Sequence, residues 1–170
     1  MTVRYTEMDS PVGRLLIAGD SSGLRCVLFA DGKRPARPEP GWLEDSASLS
    51  EATSQLRAYF AGTLFRFRLP LAPRGTPFQK RVWRQLLEIP YGETASYGEI
   101  ARRIGSPRAS RAVGLANGAN PIAIVIPCHR VIGSNGKLTG YGGGIAKKEW
   151  LLDWERRLDL KDRHSARGCA

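Results

Sequence analysis

The chain has 170 residues, of which 42% are hydrophobic, 25% charged and 8% aromatic. That is enough to bury a core, as one large domain or two small ones, and the composition is that of a globular protein. No apolar run approaches the roughly 18 residues of a membrane span, and Met1–Ser10 is acidic and polar where a signal peptide needs an apolar stretch. Three widely spaced cysteines, Cys26, Cys128 and Cys169, make neither a disulfide framework nor a zinc signature. A cytoplasmic protein is expected. The formal charge is +10, and 20 of the 26 basic residues are arginines. Residues 1–74 carry ten basic and eight acidic groups, whereas residues 75–170 carry sixteen and eight. A basic second half suits a polyanionic partner, because neutralised phosphates release counterions. An arginine-rich proteome gives the same total.

The first third reads as strands. Val3–Met8, Arg14–Ala18 and Leu24–Phe29 are β-prone runs separated by turn formers at Ser10–Gly13 and Asp20–Gly23. They predict an antiparallel three-stranded meander. Asp31–Asp45, with three prolines, reads as an irregular loop. Leu49, Ala52, Leu56, Tyr59 and Phe60 fall at helical spacing over Ser46–Phe60, and Gly62 is the stop. Leu64–Leu69 reads as a fourth strand, and Leu71–Gly75 as a linker.

The second half is helical. Thr76-Pro77 supplies an N-cap and a first-turn proline, and Phe78, Val82, Trp83, Leu86 and Leu87 mark one face up to Pro90. Tyr97–Ile104 is a short helix broken by Gly105, and another runs from Arg108 to about Asn117. Two short helices joined by a tight glycine turn are the pattern of a helix-turn-helix. On the second of them Ala109, Ser110, Ala112, Gly114 and Ala116 are small, while Arg108 and Arg111 are charged. Base reading in the major groove needs several long polar side chains, which this helix lacks. Small residues instead allow close approach of the backbone to a narrow groove, or equally to another helix in the core. The domain layout is thus 1–74, an N-terminal α/β domain; 75–158, a C-terminal domain carrying the helix-turn-helix of a DNA binder; and 159–170, a disordered polar tail holding His164 and Cys169.

The apolar run Ile122–Ile126 must be buried, and it ends abruptly at Pro127-Cys128-His129-Arg130. A buried cysteine is usually inert. Here one of only two histidines follows it directly, an arginine comes next, and a glycine-rich loop, Gly140–Gly144, lies near in sequence. A bridging water lets the imidazole accept the thiol proton, and a carboxylate usually orients such a histidine. Glu149, Asp153 and Glu155, on a helix with Trp150, Leu151 and Trp154 on its apolar face, are equal candidates on pattern alone. Burial raises the thiol pKa and positive neighbours lower it.

At these residues the sequence resembles a known family. Pro127-Cys-His-Arg-Val131, with Ser96-Tyr97-Gly98, Arg111-Ala-Val-Gly114, Asn120-Pro121 and Thr139-Gly-Tyr-Gly-Gly143, closely resembles the O6-alkylguanine-DNA alkyltransferases, in order and spacing over residues 75–155. Tyr59-Phe-Ala-Gly62 extends the likeness into the first third. The resemblance implies an α+β fold: an antiparallel sheet with a helix, then a mainly helical, winged-helix-like domain carrying the helix-turn-helix. It implies transfer of an alkyl group from O6 of guanine in duplex DNA to the protein's own cysteine, once per molecule, without a cofactor. O4-methylthymine is an allowed second substrate. Cys128 is then the acceptor, His129 the water-linked base, Glu155 the carboxylate that orients it, and Asn120 the brace of the turn carrying the active-site strand. Arg111 fills the gap left by the extruded nucleotide, flanked by Arg108, Ala109, Ser110, Ala112 and Gly114 in the minor groove. Tyr97 meets the 3′ phosphate and guanine N3. Tyr141, with Pro127 and the backbone of Val131 and Gly142, lines the pocket, and Lys148 assists at O6. The partner implied is double-stranded DNA holding O6-alkylguanine, bound by a monomer with cooperative binding allowed, and no membrane. Gly142 stands where several relatives have serine. The N-terminal domain has one cysteine and no histidine, so no metal is expected there. A sensor that only flags the lesion lacks the acceptor cysteine, and a thiol hydrolase needs an oxyanion hole that nothing here suggests.

Overall fold

Turn residues organise the first part of the chain. Ser10 and Gly13 exchange backbone hydrogen bonds of 3.1 and 3.0 Å, with Gly13 at φ +104°. They reverse the chain between β1 (Arg4–Met8) and β2 (Leu15–Asp20), which pairs onward with β3 (Gly23–Phe29), both pairings antiparallel. The computed structural model describes residues 1–168 and divides into two units, one of Met1–Thr76 with Pro121–Val125, the other of Pro77–Asn120 with the chain from Ile126 onward.

In the first unit the expected meander is present, with Leu15, Leu16, Ile17 and Ala18 of β2 all buried. The sheet is mixed, because a two-residue strand, β4 (Leu43–Glu44), adds to β1 in parallel at the end of the proline-rich loop. The free edge of β3 is covered by the returning segment: Val27 N donates to Pro121 O at 2.9 Å and Ala123 N to Val27 O at 3.0 Å. After a 3-10 turn (Ala47–Leu49) comes α1 (Ser50–Ala61), which buries Leu56 and Tyr59 and ends at Gly62, φ 78°, in the left-handed conformation glycine tolerates. The strand expected at Leu64–Leu69 does not form. Its backbone pairs with a side chain instead: Arg68 N donates to Gln55 Oε1 at 2.8 Å, and Gln55 Nε2 donates back to Arg68 O at 3.0 Å.

In the second unit α2 (Pro77–Leu87) buries Val82, Trp83 and Leu86. The Trp83 indole donates to Ala116 O at 2.8 Å, which ties α2 to α4 (Ser110–Gly118). Between them lies α3 (Tyr97–Arg103), opened by a capping box in which Ser96 Oγ accepts from Glu99 N at 3.1 Å and Glu99 Oε2 from Ser96 N at 2.6 Å. Helices α2, α3 and α4 pack on one another, and α3, Gly105 and α4 form the helix-turn-helix. Helix α4 begins at Ser110, two residues later than the expected start at Arg108, because a turn from Ser106 O to Ala109 N takes up Arg108 first. Two short strands, β5 (Ala95–Ser96) and β6 (Val131–Ile132), pair in parallel.

Two features near the C-terminal half differ from expectation. Ile122–Ile126 is buried as expected but irregular, with Ile124 at φ 72°, and it leads into a 3-10 turn, Cys128–Arg130, not a strand. Such a φ at a β-branched residue is backbone strain held by its surroundings. The last helix, α5 (Ile145–Gly168), runs through most of the stretch expected to be a disordered tail from 159 to 170. No glycine or proline interrupts it before Gly168, and Asp159 pairs with Arg163 one turn on at 3.0 Å. His164 lies on this helix, with its Nδ1 2.7 Å from Leu160 O, whereas Cys169 falls outside the described residues. Among the described residues no helix is long and apolar enough to cross a membrane, and no group of three or more His, Cys, Asp or Glu is placed to hold a metal ion. Because the N-terminal domain has one cysteine and no histidine, a chelator is expected to leave the melting midpoint unchanged in a thermal unfolding scan, and a drop of several degrees would contradict that.

Candidate active site

The end of α4 builds the nucleophile's seat. Asn120 Nδ2 donates to Ile126 O at 2.8 Å, and Asn117 Nδ2 donates to Cys128 O at 3.3 Å. Two amides thus hold the backbone entering and carrying the 3-10 turn, which lies between Pro127 and Val131. The turn places Cys128, His129 and Arg130 in the interior, all three buried.

From α5 comes the carboxylate. Of the three candidates only Glu155 is buried, whereas Glu149 and Asp153 are exposed. Its Oε1 lies 2.7 Å from His129 Nε2. Arg130 grips the same carboxylate with two hydrogen bonds, Nε to Oε2 at 2.8 Å and Nη2 to Oε1 at 2.9 Å. Gly92 N adds a fourth contact to Oε2, at 3.3 Å. Lys148, two turns earlier on the same face of α5 and fully buried, donates to Val131 O at 2.5 Å and Thr139 O at 3.0 Å. Its ammonium is therefore spent on the backbone of the glycine-rich loop and of β6.

These surroundings fix the charge states. Burial pushes the Cys128 thiol up, against a hydrogen bond from Asn120 and the Lys148 charge. Burial pulls the His129 imidazole below its ordinary value and outweighs the Glu155 carboxylate, with Arg130 and Lys148 adding to the fall. Burial also opposes ionisation of Glu155, but His129 and Arg130 overcome it and hold the carboxyl well below the usual range. At neutral pH the site rests as neutral thiol, neutral imidazole and carboxylate. His129 Nδ1 is buried and has no protein partner, leaving one ring nitrogen able to accept a proton. The Tyr141 hydroxyl is also pushed up, by burial first and then by Cys128 and Glu155, which places it against the thiol.

The remaining expected residues lie around this centre or on α4. Tyr97, first in α3, donates its hydroxyl to Thr139 O at 3.1 Å, and a side chain at Gly114 would meet the Tyr97 ring at 3.7 Å. Pro127 and Val131 are buried, while Gly142 is exposed with open space around it. Arg108, Arg111 and Ala112 are exposed, and Ala109, Ser110 and Gly114 half-buried. The small residues do not share one face, since Ala116 packs inward under Trp83. Sequence reasoning assigned no role to Asn117, or to Thr139, whose carbonyl accepts from Tyr97 and Lys148 and whose hydroxyl lies 3.3 Å from that of Tyr97. It noticed Arg130 only as charge; a guanidinium beside the Cys-His pair was the available signal. By contrast Cys26 is plain core, its thiol pushed up to about 11 by burial.

A helix-turn-helix in the same unit as a buried thiol, imidazole and carboxylate defines a DNA-binding protein equipped for cysteine chemistry. The model of the 6-O-methylguanine DNA methyltransferase DNA-binding domain matches residues 77–157, and that of the same family's ribonuclease-like domain matches residues 3–73. A methylated-DNA–protein-cysteine methyltransferase of Methanosarcina acetivorans is 58% identical over 151 residues, covering 89% of this chain and 97% of that protein. The crystal structure of Mycobacterium tuberculosis O6-methylguanine methyltransferase is similar with a TM-score of 0.85 at 55% identity, covering 92% of this chain and 94% of that one. Mycobacterium tuberculosis OGT in complex with DNA gives 0.84 at 53%, covering 93% and 94%. The chain belongs to the 6-O-methylguanine DNA methyltransferase family.

Proposed function

We propose that this protein repairs DNA by moving the alkyl group from O6 of guanine in a duplex to Cys128, once per molecule. Family membership supports DNA repair by alkyl transfer to a protein cysteine. The observation that carries the residue assignment is a buried imidazole next to Cys128 on the turn, held by Glu155 through Nε2 and with its Nδ1 open to accept a proton.

In the step itself the thiol proton passes by way of a water to His129 Nδ1, and Glu155 stabilises the imidazolium that forms. The thiolate attacks the alkyl carbon, so an S–C bond forms as the C–O bond breaks. The electron pair leaves on guanine O6, and the released base recovers a proton to become ordinary guanine. A thiolate suits this displacement because it is a soft nucleophile. The thioether has no route back, which makes the protein single-use. Val131, Pro127, Tyr141 and Gly142 form the pocket walls. Lys148 holds two of the carbonyls that shape it, a role the geometry favours over contact with O6.

The alkylated atom is unreachable inside a stacked duplex, so the nucleotide must be flipped out at a cost of a few kcal/mol. Arg111, exposed on α4, fills the vacated space, and Tyr97, released from Thr139, meets the 3′ phosphate and guanine N3. Arg108 and the uncapped start of α4, behind Ala109, Ser110 and Ala112, suit the backbone phosphates. The free thiols of Cys26 and Cys128 fit a monomer working in the reducing cytoplasm. Arg111→Ala is expected to slow repair of O6-methylguanine in duplex DNA by at least tenfold, about 1.4 kcal/mol. Reaction with free O6-benzylguanine should be nearly unchanged, since only the duplex needs flipping. Equal losses in the two assays would refute the role of Arg111.

A further inference from the structure

We infer that Arg130 is a positioning residue for the transfer reaction: by clamping both oxygens of Glu155, one of which also faces His129, it sets both the orientation of the carboxylate and the proton affinity of the imidazole. This rests on the reading of His129 as the base that serves Cys128. Arg130 does not itself reach the thiol side of the imidazole in this arrangement; it acts through Glu155.

The geometry is specific. A guanidinium offers five N–H donors in a rigid plane, and this one commits three of its nitrogens. Nε and Nη2 bind the two oxygens of Glu155 at 2.8 and 2.9 Å, and Nη1 donates to Ile89 O at 2.7 Å. The Tyr91 ring covers the guanidinium, 5.6 Å from its carbon. The plane is thus fixed at both edges and on one face, and the carboxylate is fixed with it. Glu155 Oε1 accepts from Arg130 Nη2 and also lies 2.7 Å from His129 Nε2, so one oxygen serves two partners. Charge given to the guanidinium is charge withheld from the imidazole. A lone buried carboxylate would make His129 a stronger base and let it hold a proton at neutral pH. A doubly shared one keeps the ring neutral and ready to accept.

The other titratable or charged groups around this cluster come from every packed element. Cys128 sits on the turn, Tyr141 on the glycine-rich loop, Lys148 and Asp159 on α5, and Tyr91 on the segment after α2. A substitution at Arg130 removes none of these groups. Burial and the Arg130 charge both lower the proton affinity of His129, which is the direction the clamp requires.

The test follows the ring directly. The chain has two histidines, so a His164→Ala background leaves His129 as the only imidazole to titrate by NMR. In Arg130→Gln the His129 midpoint is expected to rise by roughly one pH unit, and the low-pH limb of alkylation by free O6-benzylguanine to rise with it. A merely structural role would lower the plateau rate and leave the midpoint where it was. Arg130→Lys keeps the charge and loses the fork, so the midpoint should stay within a few tenths of a unit while the plateau rate falls severalfold. An unchanged midpoint in Arg130→Gln overturns the inference. Should that variant fail to fold, an Arg130→Lys protein that reacts at the original rate overturns it instead. Absence of any alkyl adduct on Cys128 in the unaltered protein would mean that the underlying reading has failed, with the clamp falling alongside it.

Discussion

Cys128→Ser is expected to abolish alkyl transfer while leaving binding to lesion-bearing duplex intact. A serine hydroxyl is nearly isosteric with the thiol but far harder to ionise, and no other described cysteine can take over. Cys26 is buried in the other unit, its thiol pushed up to about 11. The DNA contacts proposed here belong to α3 and α4, which the substitution does not touch. Fluorescence anisotropy with a labelled O6-methylguanine duplex should therefore report similar affinity for both proteins, while methyl transfer falls below detection. Transfer retained by the serine protein would move the acceptor elsewhere, and loss of binding would make Cys128 a structural residue.

The second large effect is on stability. Glu155→Gln replaces a carboxylate that receives Arg130, Gly92 N and the His129 ring, leaving Arg130 buried without its counter-charge. Breaking a buried ion pair from one side costs about 3–5 kcal/mol, against a total of roughly 5–15 kcal/mol for a domain. Urea unfolding should show a loss of that size, and a change below about 1 kcal/mol would show that the cluster is solvated.

The same two groups dictate the acid limit. The folded-state pKa of Glu155 is depressed, so its contribution is complete above the unfolded carboxyl value of about 4.3 and is lost as pH falls towards the folded value. The folded-state pKa of His129 is depressed as well. The unfolded chain then binds more protons, and stability declines once pH falls below about 6.5. Both act in one direction. Unfolding midpoints are expected to fall steadily from pH 7 to pH 4, and a midpoint that rises on acidification would contradict the assigned charge states.

Local signals were legible where a single backbone rule governs. Thr76-Pro77 marks the start of α2, Gly62 the end of α1, and the Ser10–Gly13 turn the first hairpin. The alternating run Leu64–Leu69 misled because a strand pattern cannot say what its backbone will bond to. Gln55 supplies the partner, and Phe67 packs on Tyr59 at 5.6 Å. Strand β4 was invisible: two residues, both exposed, carry no periodicity. An apolar run such as Ile122–Ile126 reads alike as strand or irregular core. The expected disordered tail failed for a different reason. Polarity alone does not imply disorder: a polar sequence without breakers extends a helix already nucleated by packed residues such as Leu151 and Leu152.

The chemical centre shows the same division. The Cys128-His129-Arg130 block is contiguous and conspicuous. Its partner lies 25 residues beyond Arg130, on a helix where three acids were equivalent by pattern. Only the way α5 turns its buried face towards the 3-10 turn selects Glu155, and family resemblance had to stand in for that knowledge. Asn117 and Thr139 contribute through hydrogen bonds to backbone carbonyls, a use that places no demand on neighbouring sequence.

The most direct measurement is the intact mass of the protein after incubation with duplex DNA carrying a single O6-methylguanine. One added methyl group per molecule, saturating at that value and mapping to the peptide that holds Cys128, is the expected result. Tight, lesion-selective binding with no change in mass would contradict the account and make the protein a sensor of damage.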